Sequence, residues 1–223
     1  MPKPVDLPSI ERRAIALPVE MRTEADGVGP ITGYAAVTEQ ETVIDFGFFA
    51  FREKIAHGAF TDAIKTDDVR ALFNHDPNYV LGRTTNDTLR LTEDTQGLRY
   101  EVDPPDTQAA RDVRTLVQRG DVSGSSFAFT VDDADDEWDE SDVKKGKLPL
   151  RTIQRISRLY DVSPVTYPAY EGTSVSARSK MKLETMNAAR VAERAAAEAA
   201  QTPAQQQIAS LDQRLAERQA WSI

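Results

Sequence analysis

The stretch from Ser125 to Val131, with the sequence SSFAFTV, reads as an extended strand. Because side chains alternate across a strand, Ser125 shares a face with two phenylalanines and Val131, which we expect to point into the core. Ser126 lies on the other face beside Ala128, a small neighbour that leaves room above the serine hydroxyl. The pattern therefore predicts a strand with one apolar face and a serine on its open face.

Further short runs of apolar and β-branched residues, separated by turn signals, predict seven more strands. They are residues 12–22, 31–37, 69–73, 89–92, 98–102, 150–159 and 162–167. Apolar spacing predicts a short helix over residues 57–64, and a second helix with Asp106 as N-cap that stops at Gly120. Many short strands with few helices predict a mainly β protein of the α+β class, an antiparallel barrel or sandwich with attached helices.

Composition divides the 223-residue chain into three parts. Residues 1–10 are proline-rich and predicted to be flexible, and residues 11–178 are the expected domain. Residues 179–223 contain no glycine and are rich in alanine, which predicts a helical tail that buries little apolar surface. The chain has no cysteine and no apolar run of membrane-spanning length, so we expect an intracellular protein without disulfides or membrane contact.

The net charge of −9 argues against a nucleic-acid-binding protein, because phosphate contacts need clustered Lys and Arg. Eight acidic residues lie between Asp132 and Asp142, followed by three lysines. This segment is either a solvated loop between two strands or a self-repelling flap that selects basic substrates. The residues alone leave both interpretations open.

Acyl transfer by a serine needs an imidazole to take the hydroxyl proton and a third polar group to orient that imidazole. The chain has two histidines, His57 and His75, and His75 is predicted at the exit of a strand, where catalytic groups are often held. Strand alternation favours Ser126 over Ser125 as the nucleophile. The histidines lack close metal-ligand spacing and no phosphate-binding loop is present, so no metal and no cofactor are expected.

Four ordered segments resemble the head maturation (prohead) serine proteases of tailed bacteriophages. The segments are FREKIAHGAF at 51–60, ALFNHD at 71–76 with VLGRT at 80–84, GDVSGSSFAF at 120–129, and LYDVSPVTYPAY at 159–170. Carried over by position, this resemblance implies His75, Ser126 and Asp161 as the catalytic residues. The family more often has Glu at the position of Asp161, and it often has Pro at the position of His57, which implies that His57 is not catalytic.

The resemblance implies a serine endopeptidase, related in fold to the herpesvirus assembly proteases, with a β-barrel ringed by helices. Its expected substrates are the scaffold, the major capsid protein and the protease itself, inside the immature head in the host bacterial cytoplasm. A homodimer is a candidate assembly. The alternative is a non-catalytic capsid-assembly or scaffold protein that retains the fold. Candidate helpers for the oxyanion or the substrate are Arg83, Arg151 and Arg155. The tail is either a scaffold-docking arm or a removable extension.

Overall fold

The computed structural model describes residues 10–22, 29–45 and 50–168, and seven single positions between 185 and 196. The chain divides into two compact units, Met1–Ser176 and Ala177–Ile223, each of which is described by itself. The first unit is mainly β. Its described strands are β1 Glu11–Ile15, β2 Glu20–Met21, β3 Ile31–Val37, β4 Thr42–Asp45, β5 Ala50–Ile55, β6 Arg70–Phe73, β7 Asp76–Arg83, β8 Leu89–Glu93, β9 Gly97–Val102, β10 Gly124–Thr130, β11 Asp136–Asp139, β12 Leu150–Ile153 and β13 Arg158–Val165.

The described α-helices of this unit are α1, Ala63–Thr66, and α2, Gln108–Arg119. Thr107 caps α2 by accepting a hydrogen bond from the Ala110 N–H at 3.3 Å, so the predicted cap at Asp106 is wrong by one residue. Gly120 ends α2 as predicted, with a positive φ of 80° that a residue without a Cβ adopts freely. The predicted helix at 57–64 is a series of turns that becomes helical only at Ala63.

The described strands form three sheets, with the orders β1-β10-β13-β6-β7, β11-β12-β5-β4 and β2-β3-β9-β8. Most neighbours are antiparallel, as predicted, but β12 with β5 and β13 with β6 are parallel pairs. The described ranges contain no closed barrel, so the barrel remains a prediction. The mainly β class with a few helices is confirmed.

Strand β10 lies second in the five-stranded sheet, and its apolar face enters the core as predicted. Phe127 stacks on Phe129 with ring centroids 4.7 Å apart, and the edge of Phe60 meets Phe127 at 5.5 Å. The opposite face is covered too, because every residue of β10 is buried. At Gly124 a Cβ would lie 2.3 Å from the Pro168 Cβ, so the absence of a side chain permits this close contact. The expectation of open space above Ser126 is therefore wrong for this structure.

Two predicted strands are each divided in the structure. The run at 12–22 splits into β1 and β2, which belong to different sheets, with Pro18 in the intervening segment. The run at 150–159 ends at Ile153, and a new strand begins at Arg158. Asp161 consequently lies inside β13 and not before it. Strands β4, β5, β7 and β11 were not predicted, because charged or exposed residues interrupt their apolar patterns.

The acidic segment contains ordered structure and buried ion pairs. Asp136 begins β11, which pairs with β12, and its carboxylate accepts a hydrogen bond from Arg151 at 2.8 Å. The buried Asp135 carboxylate binds Arg155 at 2.9 Å and Ser157 at 2.8 Å. Several of these acidic residues thus serve to fix strands, which the charge pattern alone did not indicate.

Of the predicted helical tail, the described positions are helical and exposed, and the rest lies outside the described residues. Of the predicted flexible segment 1–10, only Ile10 is among the described residues. Among the positions that the structure describes, no helix is both long and apolar enough to cross a membrane.

Candidate active site

Strand β10, the second strand of the five-stranded sheet, positions Ser126 between β1 and β13. Ser126 pairs with Ala14 of β1 on one side and with Ser163 of β13 on the other. Paired residues in a sheet project to the same face, so the side chains of Ser126 and Ser163 lie together. Ala128, two residues along β10, pairs in the same way with Asp161. The pairing register thus brings a hydroxyl and a carboxylate to one face of the sheet.

The turn between β6 and β7 supplies His75. Phe73 pairs with Asp76, so Asn74 and His75 form a two-residue hairpin loop, with positive φ values of 52° and 58°. Two successive positive φ angles are the signature of a type I′ turn, whose usual residues are Asn and Gly. A histidine in this conformation carries about 1–2 kcal/mol of backbone strain. Such strain persists where the surrounding structure holds the residue for a function.

Asn74 ties this turn to the end of β13. Its backbone N–H donates to the Pro164 carbonyl at 3.1 Å. Its side-chain oxygen accepts from the Thr166 backbone N–H at 2.9 Å, and its amide donates to the Thr166 hydroxyl at 3.1 Å. The turn that carries His75 is therefore held against the strand that carries Asp161.

His75 bridges the other two groups through both ring nitrogens. Its Nδ1 lies 2.6 Å from the Oδ1 of Asp161, and its Nε2 lies 2.6 Å from the Oγ of Ser126. A carboxylate only accepts hydrogen bonds, so the proton of a neutral imidazole resides on Nδ1 and leaves Nε2 free to accept from the serine. The side chains of His75 and Asp161 are each 9% exposed, so water competes little for these hydrogen bonds. The three groups form the arrangement of a serine nucleophile, a base and an acid that orients the base.

A comparison with family models shows which proteins share this pattern. Residues 17–189, most of the chain, match the model described as caudovirus prohead serine protease. The chain is a member of this family. Comparisons with curated proteins and with solved structures gave no match.

Membership in the prohead serine protease family identifies the chain as a relative of serine peptidases of phage heads. It agrees with the predicted resemblance. The three elements that carry His75, Ser126 and Asp161 all lie within the matched residues; they are the β6–β7 turn, β10 and β13. Strand β1, which pairs with β10 beside Ser126, lies before the match begins.

The hydroxyl of Ser126 has two hydrogen-bond acceptors within reach. The hydroxyl can donate to the main-chain carbonyl of Arg13, whose oxygen lies 2.8 Å from Oγ, or to Nε2 of His75. A serine hydroxyl has one proton, so only one of these hydrogen bonds forms at a time with a neutral imidazole. The carbonyl of Arg13 therefore competes with Nε2 of His75 for the hydroxyl proton of Ser126.

Ser163 is a site residue that the sequence reasoning missed. Its hydroxyl donates to the Oδ1 of Asp161 at 2.8 Å, the same oxygen that faces His75, and it lies 3.4 Å from the His75 Nδ1. Ser163 is fully buried, so this hydrogen bond is shielded from water. It restrains the carboxylate oxygen of Asp161 that faces the imidazole. The signal was present in the sequence, because residues i and i+2 of a strand share a face.

Ser125 projects from the opposite face of this sheet and meets Tyr100 of β9, a strand of the sheet β2-β3-β9-β8. The Tyr100 hydroxyl and the Ser125 hydroxyl lie 2.9 Å apart inside the core. Burial raises the pKa of Tyr100 well above its ordinary value, and the hydrogen bond to Ser125 offsets part of that rise. The phenol consequently stays neutral. This pair anchors the residue next to Ser126 in the core.

The three arginines predicted as helpers bind carboxylates elsewhere. Arg83 forms two hydrogen bonds to Asp68, at 2.7 and 2.5 Å, and Arg155 binds Asp135. Arg151 is completely buried and belongs to the core. None of the three has a described hydrogen bond to the triad, so the structure does not bring them to the site. His57 is likewise apart, since its backbone N–H donates to Glu39 and its ring has no described contact with Ser126.

A buried ion network on the core side holds β1 in place. Arg13 binds Glu53 at 2.5 and 2.7 Å and Glu11 at 2.9 Å, while Arg151 binds Glu11 at 2.8 Å and Glu53 at 3.0 Å. Burial alone would raise the pKa of Glu11, but the charges of Arg151 and Arg13 hold it below its ordinary value. Buried charges need such complete pairing, because an unpaired ion is costly to desolvate. The network thereby fixes the carbonyl of Arg13 beside Ser126.

No group of three or more metal-binding side chains occurs within residues 10–22, 29–45 and 50–168 or at the described tail positions.

Proposed function

We propose that this protein is a serine endopeptidase that cleaves the scaffold and the major capsid protein during maturation of a phage head, and that it also cleaves itself. The observation that carries the proposal is the unbroken hydrogen-bonded series from Asp161 through His75 to Ser126, with both heavy-atom distances at 2.6 Å. Family membership supports the reaction class and the setting.

In the proposed reaction, Ser126 Oγ bonds to the carbonyl carbon of the scissile peptide while its proton passes to His75 Nε2. Asp161 accepts the hydrogen bond from Nδ1 and stabilises the imidazolium that forms. His75 then donates the proton to the leaving amine, and water repeats the cycle to release the acyl group. Ser163 keeps the Asp161 carboxylate aligned throughout.

Substrate access imposes a condition on this mechanism. The side chain of Ser126 is completely buried in the structure, so a peptide reaches it only if neighbouring segments move. A substrate that shifts the carbonyl of Arg13 would also remove the competing acceptor for the hydroxyl proton. Binding and activation of the nucleophile would then occur together.

A serine-directed acylating probe tests the proposal directly. The purified protein should be labelled covalently, and mass spectrometry should place the label on Ser126. The Ser126→Ala protein should take up no label, whereas the Ser125→Ala protein should be labelled normally. Incubation with scaffold and capsid protein, followed by sequencing of new termini, should give defined cleavage products. Absence of both labelling and cleavage would contradict the proposal and favour a non-catalytic assembly protein.

The remaining parts of the proposal concern the setting. We place the protease inside the immature head in the host cytoplasm, with a fold related to the herpesvirus assembly proteases and a homodimer as its candidate assembly. Residues 11–178 are proposed as the catalytic domain and residues 179–223 as a docking arm or removable extension. A chain ending at Arg178 should fold and cleave a peptide, yet enter heads poorly. Loss of peptide cleavage by that shortened chain would refute the boundary.

A further inference from the structure

Arg12 lies on the same face of the sheet as the proposed triad. It pairs with Ala128, and Ala128 pairs with Asp161, so the three side chains project from one row across β1, β10 and β13. Ala128 between them has only a methyl group. In the strand order of this sheet, β1 lies on one side of Ser126, and β13 and the turn that carries His75 lie on the other. A peptide bound at Ser126 would therefore have the base on one side and Arg12 on the other.

The guanidinium of Arg12 has no acceptor in the described part of the chain. Its Nε is buried without a hydrogen-bond partner, and none of the described carboxylates forms an ion pair with it. The neighbouring residue Arg13, on the opposite face, is completely paired with Glu53 and Glu11. A buried N–H of a charged group without an acceptor is unfavourable, so an anion bound there would be stabilised.

We propose that Arg12 binds the carboxylate of an acidic side chain in the substrate, within two residues of the scissile bond. This inference rests on the proposed protease function. Diagonal neighbours across two strands lie about 7–8 Å apart, with their Cβ atoms somewhat closer, and this is the relation between Arg12 and Ser126. An extended peptide advances about 3.3 Å per residue, so this separation matches a neighbouring substrate residue and not the reacting carbonyl.

The chemistry of the guanidinium fits this ligand. Its planar fork binds a carboxylate through two parallel hydrogen bonds, a geometry that a neutral side chain does not reproduce. Arg12 precedes residue 17, where the family match begins, so the proposed subsite is a feature of this chain outside the matched region. The predicted substrate class is thus a peptide with Glu or Asp beside the cleavage site.

Cleavage of a mixed peptide library tests the inference. The termini of the products from the wild-type protein should be enriched in Glu or Asp at one position within two residues of the cut. For a matched pair of peptides with Glu or Gln at that position, Arg12→Gln should lower kcat/KM on the Glu peptide roughly tenfold to a hundredfold. Its kcat/KM on the Gln peptide should change less than about threefold.

Two further variants separate a change in substrate selection from a general loss of activity. Arg12→Glu should reverse the selection and favour Lys or Arg at the same position, a gain that misfolding cannot produce. Arg119→Gln, which removes an exposed charge at the end of α2, serves as the control and should leave the selection unchanged.

The outcomes separate the two proposals. Equal losses on the Glu and Gln peptides would overturn the inference, because Arg12 would then not distinguish a charged substrate side chain from a neutral one. Cleavage without any acidic preference in the wild type would also overturn it, while Ser126 labelling would leave the protease proposal intact. No cleavage and no Ser126 labelling would overturn both.

Discussion

Two adjacent serines on β10 have opposite environments. Ser125 points into the core and binds the hydroxyl of Tyr100, whereas Ser126 points to the other face and lies 2.6 Å from the imidazole of His75. Both side chains are completely buried, so burial does not distinguish them. Their partners do. One strand thus uses one face to anchor itself in the core and the other to present the proposed nucleophile.

The comparison predicts its largest effect at Ser126. Ser126→Ala and His75→Ala should each lower kcat for peptide cleavage by a factor on the order of 10⁶, because the nucleophile or its base is lost. Ser125→Ala and His57→Ala should retain most of the activity, and steady-state kinetics on one peptide measures all four. A dead Ser125→Ala protein with a native fold would show that the two faces have been assigned the wrong way round.

The next largest effect is predicted at Asp161, whose Oδ1 lies 2.6 Å from the Nδ1 of His75. This distance shows that an aspartate at position 161 is long enough to reach the imidazole. Asp161→Asn should lower kcat about 10⁴-fold with little change in KM, because the amide favours the wrong imidazole tautomer. Asp161→Glu should remain substantially more active than Asp161→Asn. An Asp161→Asn protein with unchanged kcat would assign the third role to another residue.

Asn74 tests whether the turn holds the base in place. Asn74→Ala should lower the free energy of unfolding by about 2–4 kcal/mol, because alanine is strained at positive φ and both side-chain hydrogen bonds to Thr166 are lost. Asn74→Gly also loses the side-chain hydrogen bonds, but glycine adopts a positive φ without strain. Its free energy of unfolding should therefore fall by a smaller amount, about 1–2 kcal/mol. Denaturant unfolding gives both values. Equal stability of the two variants would exclude the backbone contribution.

Ser163 should have a smaller effect that is confined to the chemical step. Ser163→Ala removes the hydroxyl that donates to Asp161 and should lower kcat about tenfold while KM stays unchanged. A purely structural role would change stability without this separation of kcat from KM. The Ser157→Ala protein, which loses a hydroxyl bound to Asp135, is a suitable control and should keep its kcat.

The core face predicts an effect on stability and none on the chemical step. Tyr100→Phe leaves the Ser125 hydroxyl buried without its partner and should cost about 1–3 kcal/mol of unfolding free energy. Ser125→Ala should cost a similar amount, and the double variant should cost clearly less than the sum. Strict additivity of the two losses would show that the hydroxyls do not interact.

The pKa of Tyr100 gives this prediction a pH dependence. Burial raises the pKa of the folded phenol, so the unfolded chain loses this proton first as pH rises. The stabilisation by neutral Tyr100 is therefore complete below about pH 10 and decreases above it. Tyr100→Phe should lose less stability than the wild type between about pH 10 and 11, as thermal unfolding at each pH measures. Identical losses of stability in the two proteins over this pH range would contradict the raised pKa of Tyr100.

The chain's residue pattern was sufficient for local features. Alternation over 125–131 predicted which serine faces the core, and the run 98–102 identified a hairpin strand that the structure confirms. These features depend on neighbours one or two residues away, so periodicity records them. The resemblance to prohead proteases, carried by His75, Ser126 and Asp161, supplied the residues that the fold brings together.

Long-range pairing decided the rest. The sequence did not reveal that β1 pairs with β10, that Arg12 comes to the face of the triad, or that Ser163 binds Asp161. The sequence could not distinguish three arginines as candidate helpers: Arg83, Arg151 and Arg155. In the structure each of them binds a carboxylate that is distant in the sequence. Alternation states which residues share a face of one strand, but only sheet order and register determine which strands lie side by side.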